Sequence, residues 1–234
     1  MYGFYGFRMD WTYVLVLIGA ILSMMASARV TSTFNKYSKV RSMTGMTGAE
    51  AAQRLLNNAG IRDVRIEHIH GNLTDHYDPR VKVLRLSDAT YGSTSVAAIG
   101  VAAHECGHAI QHQVGYLPLK IRSALVPVAN FGSKLGLPII ILGVILGSNY
   151  FMIQIGIWIF ALAVLFQVVT LPVEFNASGR AVQLLDQQGI LAGAEVGSCK
   201  KVLGAAALTY VAAAASSILQ LLRLVLLFGR RDRD

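Results

Sequence analysis

The stretch LGLPIIILGVILGSNYFMIQIGIWIFALAVLFQVVTLPV, residues 135–173, contains no charged side chain and lies between Lys134 and Glu174. A helix that crosses a bilayer needs about 20 apolar residues, so this run is too long for one crossing. The turn-forming sequence GSNY at 147–150 divides it. The pattern therefore predicts a hairpin of two membrane-spanning helices in which Lys134 reaches the interface or faces other helices. The two predicted spans are 125–147 and 151–171.

Two further apolar runs lie near the ends of the chain, at 11–28 and 202–228. The first has the length of one crossing. Its alternative is a cleaved secretion signal, with Arg8 before it and the small residues 26–28 as the cleavage site. The second is interrupted by Arg223, and its alanine-rich first half suits close helix packing as well as lipid. We expect four spans, although the last segment could instead pack against the polar part of the chain.

Composition supports a membrane protein. Hydrophobic residues make up 54% of the chain and charged residues 15%, far from the balance of soluble proteins. The net charge of +8 is spread along the chain and does not form a nucleic-acid-binding stripe. A surface that faces anionic lipid headgroups explains this charge, so the bilayer is the expected partner. The two cysteines, Cys106 and Cys199, form neither a disulfide framework nor a metal cluster motif.

The polar region at 29–124 has signals for both helices and strands. Thr47 and Glu50 have capping-box spacing at the start of a helix that Gly60 should close. Two β-branched segments indicate strands, and the GNLTDHYDP sequence between them is typical of turns. Ser93, Thr94 and Ser95 then offer caps for a helix that contains the sequence HECGH. The predicted strands are 64–69 and 81–86, and the predicted helix is 95–113. The second strand could be an edge strand that captures an extended substrate beside the helix.

The HECGH motif predicts a zinc site. His104 and His108 are four residues apart, so they leave the same helix face and can bind one metal ion. Glu105 lies beside this pair, where it can take a proton from a metal-activated water and pass it to a leaving amine. Cys106 points about 100° further round the helix and is not expected to be a ligand. Gly107 has no side chain, so it adds no bulk to the crowded face of the helix.

A catalytic zinc site needs a third protein ligand and one open position. The metzincin pattern would place a histidine at position 114, but Val114 stands there. Glu174 follows the charge-free hairpin, where an uncompensated carboxylate would be costly unless a metal binds it. Asp186 and Glu195 lie in polar segments and look like surface charges. We therefore expect Glu174, within the polar region 172–201, to be the third ligand.

The chain also resembles a known family. HECGHAIQH, GYLPLKIRSALVPVAN, VTLPVEFNASGRA and AALTYVAAAASS resemble the neutral zinc metallopeptidases of bacterial membranes, the YugP-like family. The layout is more distantly similar to membrane-bound gluzincins of the HtpX and CAAX-protease type. The resemblance implies one single membrane-embedded unit, residues 1–234, with a zincin-like α+β region and one Zn²⁺ per chain. Where those distant relatives have an Asp four residues after the ligand Glu, this chain has Ser178, which could hydrogen-bond a ligand histidine.

Four other polar residues are candidates for roles near the site. His112 lies near the face of the ligand histidines and could contact substrate or stabilise an oxyanion, or be a surface group. His76 sits in a turn segment, where a plain polar role is the alternative. Tyr210 could point its hydroxyl toward the site or toward a backbone carbonyl. Arg180 could orient substrate carboxylates or pair with an acidic group.

These observations predict a zinc endopeptidase that hydrolyses membrane or membrane-associated proteins, with a quality-control role implied by the distant resemblance. A catalytically silent scaffold that retains the zinc site is the alternative. A transporter is disfavoured because the two halves of the chain show no repeat. The chain does not indicate an oligomeric state.

The catalytic side is predicted to face the cytoplasm. The basic residues beside the spans fall on one side in a four-span arrangement, which the positive-inside rule assigns to the cytoplasm. They are Arg29, Lys36, Lys39, Arg41, Lys120, Arg122, Lys200 and Lys201. The tail arginines would lie on the opposite side if the last segment crosses fully.

Overall fold

The computed structural model describes residues 10–229. Six helices and three strands follow one another along these residues. They are α1 (Tyr13–Tyr37), α2 (Gly48–Asn58), β1 (Arg65–Ile69), β2 (His76–Asp78), β3 (Val83–Ser87), α3 (Val96–Gln113), α4 (Leu117–Ile145), α5 (Tyr150–Gln187) and α6 (Ala194–Phe228). The predicted fold class, a mainly α membrane protein with a small α+β region, is confirmed. Arg8, which precedes the first apolar run, and the tail residues Arg230, Arg231 and Arg233 lie outside the described residues.

Helices α1, α4, α5 and α6 are long and apolar enough to cross a membrane. Each extends beyond the charge-free run that predicted it. In α5 the apolar run stops at Val173, but the helix continues because its next residues present a regular buried face. Ala177, Ala181 and Leu185 recur at intervals of four, and all are at most 1% exposed. Glu174 therefore lies inside a helix and not in a polar segment after the hairpin.

The predicted start and end of α2 are confirmed. The Thr47 side chain accepts a hydrogen bond from the Glu50 N–H, and the Glu50 carboxylate accepts one from the Thr47 N–H. These bonds satisfy two donors that a helix start otherwise leaves unpaired. The helix is followed by Gly60 with φ of +73°, the left-handed conformation that glycine adopts at little cost.

The three strands form one sheet in the order β1-β3-β2. β1 pairs parallel with β3, and β2 pairs antiparallel with it. The interpretation of the whole segment between the two predicted strands as turn was wrong, because His76–Asp78 forms β2. The edge-strand hypothesis was also wrong for β3, which lies at the centre of the sheet. Val83 and Leu84 are both at most 1% exposed, as expected of a strand covered on both faces.

The described residues form two compact units. The first comprises residues 26–123 and 169–210, and its core joins α2, α3, β1 and β3 with the C-terminal part of α5 and the N-terminal part of α6. Within this unit, Glu195 is 9% exposed and its carboxylate accepts hydrogen bonds from the backbone N–H groups of Met43 and Ala192, at 2.7 and 3.2 Å. The interpretation of Glu195 as an ordinary surface charge was therefore wrong.

The second unit comprises residues 10–25, 124–168 and 211–229. Its core contains Ile140 of α4, Ile153 of α5 and Leu224 of α6. Gly132 allows close approach of α4 and α5, because a Cβ atom there would lie 2.6 Å from the carbonyl oxygen of Ile159. Arg223 has the partner that a cation in an apolar span requires, since its Nη2 lies 3.6 Å from the Asp10 carboxylate.

Candidate active site

Helix α3 carries the HECGH motif and begins where the sequence predicts. The Ser95 hydroxyl accepts a hydrogen bond from the Ala98 N–H at 3.2 Å, which caps the helix. The helix packs closely against α5 at Gly107. A Cβ atom at that position would lie 2.6 Å from the Ala177 carbonyl oxygen. Glycine at position 107 is therefore what lets α3 approach α5 closely enough for their side chains to meet.

Three possible metal ligands meet at this contact: His104 and His108 from α3, and Glu174 from α5. The two Nε2 atoms are 3.1 Å apart. The Oε2 atom of Glu174 lies 3.2 Å from Nε2 of His104 and 3.6 Å from Nε2 of His108. Two donor atoms about 2.0–2.1 Å from a tetrahedral zinc ion are about 3.3 Å apart. The spacing and chemistry of this donor set therefore fit Zn²⁺.

The two oxygens of Glu174 have different partners. Oε2 faces the two histidines, whereas Oε1 accepts a hydrogen bond from Nη1 of Arg122 at 3.1 Å. Arg122 therefore occupies one oxygen and leaves the other for a metal. The Glu174 side chain is only 2% exposed, so this arrangement also supplies the partners that a buried carboxylate needs.

A chain of hydrogen bonds orients His108. Gln111 is fully buried, and its Nε2 donates to the Val173 carbonyl oxygen at 2.8 Å and to Oδ1 of Asn176 at 2.9 Å. Its Oε1 lies 3.0 Å from Nδ1 of His108. Since an amide oxygen can only accept, Nδ1 of His108 carries the proton and donates it. Nε2 then presents its lone pair to the metal position.

Arg180 extends this chain. Its Nε donates to Oδ1 of Asn176 at 2.8 Å, which fixes the orientation of the Asn176 amide because an arginine has no acceptor. From the sequence, Arg180 was expected to orient substrate carboxylates or to pair with an acidic group. The structure instead connects it to His108 through Asn176 and Gln111.

Ser178 lies where the comparison with distant relatives suggested a partner for a ligand histidine. Its hydroxyl oxygen is 3.0 Å from Nδ1 of His104. His104 and His108 thus each have a polar partner on Nδ1, with the two Nε2 atoms facing each other and Glu174. In other proteins, a hydrogen-bond partner on the ring nitrogen that does not bind the metal fixes the orientation of metal-binding histidines.

Glu105 is buried, with 8% of its surface exposed. Within residues 10–229, its carboxylate makes no hydrogen bond. Burial alone lowers the pKa of the neighbouring His108, but the hydrogen bond to Glu174 and the charges of Glu105 and Glu174 raise it above its ordinary value. The two carboxylates thus favour positive charge on His108. Because no hydrogen bond within residues 10–229 occupies the Glu105 carboxylate, its oxygens can accept a hydrogen bond from a molecule bound beside the two histidines.

Cys106 is separated from this group. It is fully buried in the core, and its Sγ lies 3.6 Å from the Ala52 carbonyl oxygen. Burial also raises the pKa of its thiol, which disfavours the thiolate that binds metals. These observations agree with its exclusion as a ligand.

The remaining predicted residues differ in how close they lie to His104, His108 and Glu174, together called the metal-binding group. Tyr210, on α6, interacts with Glu174 through its side chain. His112 is exposed, and its Nδ1 lies 2.9 Å from the Tyr77 hydroxyl. Burial raises the pKa of Tyr77 to about 12, so this hydroxyl keeps its proton at neutral pH. His76 instead contacts the Thr74 carbonyl oxygen and Arg85, and the structure does not bring it to the group.

Three residues of the site were missed in the sequence. They are Gln111, Arg122 and Asn176. Gln111 follows His108 by three residues, and Arg180 follows Asn176 by four, so both spacings place the pairs on shared helix faces. These two spacings could have been recognised in the sequence. The packing of α3 against α5, which brings the two pairs together, could not.

This fold and donor set define a membrane protein able to hold a divalent metal. The family described as "Putative neutral zinc metallopeptidase" matches residues 12–229. A curated protein of Bacillus subtilis (strain 168), "Putative membrane protease YugP", is 48% identical over 224 residues, which cover 95% of this chain and 99% of that protein. No solved structure gave a significant match. The chain belongs to this family of neutral zinc metallopeptidases, and Zn²⁺ is therefore its implied metal.

Proposed function

We propose that this protein is a membrane-embedded endopeptidase of the gluzincin type, with a distant Glu completing the HExxH ligand set. His104, His108 and Glu174 would hold one Zn²⁺, and Glu105 would act as general base. The observation that carries the proposal is the meeting of one Glu174 oxygen with both histidine Nε2 atoms, next to the Glu105 carboxylate, which no hydrogen bond occupies among residues 10–229.

When bound, zinc would polarise the scissile carbonyl and increase the acidity of the attacking water. Glu105 would take one proton from that water as its oxygen attacks the carbonyl carbon. It would then transfer this proton to the amide nitrogen as the C–N bond breaks, which releases a carboxylic acid and an amine; the acid then loses its proton to the amine or to solvent. Arg122 would hold Glu174 in place throughout, and Gln111 and Ser178 would orient the two histidines.

The surroundings of the site suggest where a substrate chain could lie. A cavity of about 420 Å³ is lined by Gln111, His112, Tyr116 and Lys120, among others. Gln111 joins this cavity to the ligand histidine, and His112 is held at its wall by Tyr77. His112 would contact the substrate there. Tyr210 lies beside Glu174 and would donate a hydrogen bond toward the reacting carbonyl.

Substrates are proposed to be membrane or membrane-associated proteins. His104, His108 and Glu174 belong to residues 26–123 and 169–210, and Glu174 lies on α5, a helix long and apolar enough to cross a bilayer. The basic residues that indicate a cytoplasmic side lie within the same two ranges of the chain. Arg29, Lys120 and Lys200 are among them. We therefore place catalysis at the cytoplasmic face.

The Glu105→Gln variant tests this proposal. The amide keeps the size of the side chain but cannot act as a base. Wild type and variant should each contain one zinc ion per chain, and only wild type should cleave an unstructured protein such as casein in detergent. Equal cleavage by both proteins would exclude Glu105 as the base. Zinc in both proteins with cleavage by neither would favour the silent scaffold.

A further inference from the structure

A second polar cavity, of about 570 Å³, lies between the C-terminal part of α1 and the N-terminal part of α6. None of its lining residues belongs to the metal-binding group. Four of them are basic and exposed, and three carry hydroxyl groups. The basic residues are Arg29, Lys36, Lys200 and Lys201, and the hydroxyl groups belong to Ser32, Thr33 and Tyr37.

These four positive charges have no acidic partner in the described part of the chain, where none lies within 4.0 Å of a carboxylate oxygen. Lys36 contacts an aromatic ring, with its Nζ 5.5 Å from the centre of the Tyr37 ring. Four cations around one cavity repel one another, and an anion between them would relieve that repulsion. The cavity thus has the charge of an anion-binding site.

The walls of the cavity are held in place by apolar packing. Phe34 and Tyr37 of α1 are each 8% exposed and pack with Val202 of α6 and Ala97 of α3. These contacts fix the two helices beside the basic residues. The site is therefore formed without a ligand, which lowers the entropic cost of binding.

The position of the cavity along both helices indicates the kind of anion. Arg29 directly follows the charge-free run at 11–28, and Lys201 directly precedes the apolar run at 202–228. The basic groups thus stand where apolar sequence gives way to polar sequence on both helices, the depth at which lipid headgroups lie. Leu208, which also lines the cavity, is 40% exposed and offers an apolar surface for an acyl chain.

We propose that this cavity binds the phosphodiester headgroup of an anionic phospholipid. Lysine and arginine side chains would pair with the phosphate oxygens, and the hydroxyl groups of Ser32 and Thr33 would donate hydrogen bonds to them. A free phosphate would match the charges but would not explain the placement at the ends of two apolar runs. The proposal does not depend on protease activity.

The test compares wild type with the double variant Lys200→Gln/Lys201→Gln, as full-length protein in a nonionic detergent. Dioleoylphosphatidylglycerol is titrated while the melting temperature is followed, with dioleoylphosphatidylcholine as the neutral lipid. A ligand that binds the folded state raises the melting temperature. We expect phosphatidylglycerol to stabilise wild type, and the variant to need about tenfold or more lipid for the same shift.

The matched control is Arg62→Gln/Arg65→Gln, which removes two exposed charges outside the cavity. It should respond to phosphatidylglycerol as wild type does. An equal response of all three proteins would overturn the proposal, and so would the same shift with glycerol 3-phosphate alone, which would indicate a site for soluble anions. If the lysine variant lost its melting transition in phosphatidylcholine, Arg29→Gln would replace it, with an expected loss of about fivefold.

Discussion

Oε1 of Gln111 lies 3.0 Å from Nδ1 of His108. The buried Gln111 amide cannot rotate to exchange its oxygen and nitrogen atoms. Its Nε2 is held by the Val173 carbonyl oxygen, which can only accept a hydrogen bond. The amide therefore requires a proton on Nδ1 of His108 and leaves Nε2 free to bind metal. One side chain thus connects the packing of α3 on α5 with the protonation of His108, a proposed metal ligand.

The first prediction concerns Gln111. Gln111→Leu should lower zinc affinity by about 10- to 100-fold, because His108 loses the acceptor that fixes its ring. Gln111→Glu keeps an acceptor and should retain more of the affinity. Chelator competition measures this affinity, and Gln113→Leu, an exposed position on the same helix, is the control. Wild-type zinc affinity in a folded Gln111→Leu protein would show that the amide does not position His108.

The second prediction concerns Glu174. Glu174→Gln replaces the charged oxygen that faces both histidines with a neutral amide, so the purified variant should contain much less than one zinc ion per chain. Asp186→Asn removes a carboxylate from an exposed position of the same helix and should leave the zinc content unchanged. Metal analysis of both proteins provides the measurement. Full zinc occupancy in Glu174→Gln, at the affinity of wild type, would exclude this residue as a ligand.

The third prediction concerns Gly107. Its replacement by alanine puts a Cβ atom 2.6 Å from the Ala177 carbonyl oxygen, so α3 and α5 must separate. We expect destabilisation by about 1–3 kcal/mol together with weaker zinc binding. Gly179→Ala is the matched control, because a Cβ atom there meets nothing within 4 Å. That substitution should instead stabilise α5 by about 0.5–1 kcal/mol. Similar melting temperatures for the two variants would contradict the close contact.

The fourth prediction concerns pH and Asp88. The hydrogen bond from the Gly71 N–H, followed by the contact with His68 at 2.7 Å, holds the pKa of this carboxyl below its ordinary value. A carboxyl with a lowered pKa stabilises the fold above its unfolded-state pKa, and this contribution is lost as pH falls through the folded-state value. Asp88→Asn should therefore be less stable than wild type at pH 7, and the difference should shrink toward pH 3. Urea unfolding at several pH values measures it, and a difference independent of pH would contradict the assignment.

The sequence predicted the architecture where a long-range pattern determines it. The charge-free residues 135–173 required a membrane hairpin, and the capping signals at Thr47 and at residues 93–95 marked the helix starts correctly. The extent of α5 was underestimated because hydropathy ends at Val173 while the helical burial pattern continues through Leu185. Strand β2 was missed because three residues among turn-forming neighbours carry no periodic signal.

The site was predicted as far as spacing along one helix allows. The i, i+4 spacing of His104 and His108 is local, and Glu174 was identified by its isolated charge. The pairing of β1 with β3, which places β3 at the centre of the sheet, joins segments distant in sequence. The same holds for Gln111 and Asn176, whose contact exists only because α3 packs on α5. Single-sequence patterns do not contain these contacts.

The central claim is that two histidines and one carboxylate hold the metal. X-ray absorption at the zinc edge of the purified wild-type protein tests it most directly, because imidazole, oxygen and sulfur ligands give distinct signals. We expect two imidazole ligands and oxygen donors at about 2.0–2.2 Å, with one imidazole lost in His108→Ala. A sulfur ligand at about 2.3 Å, or a spectrum unchanged by His108→Ala, would contradict it.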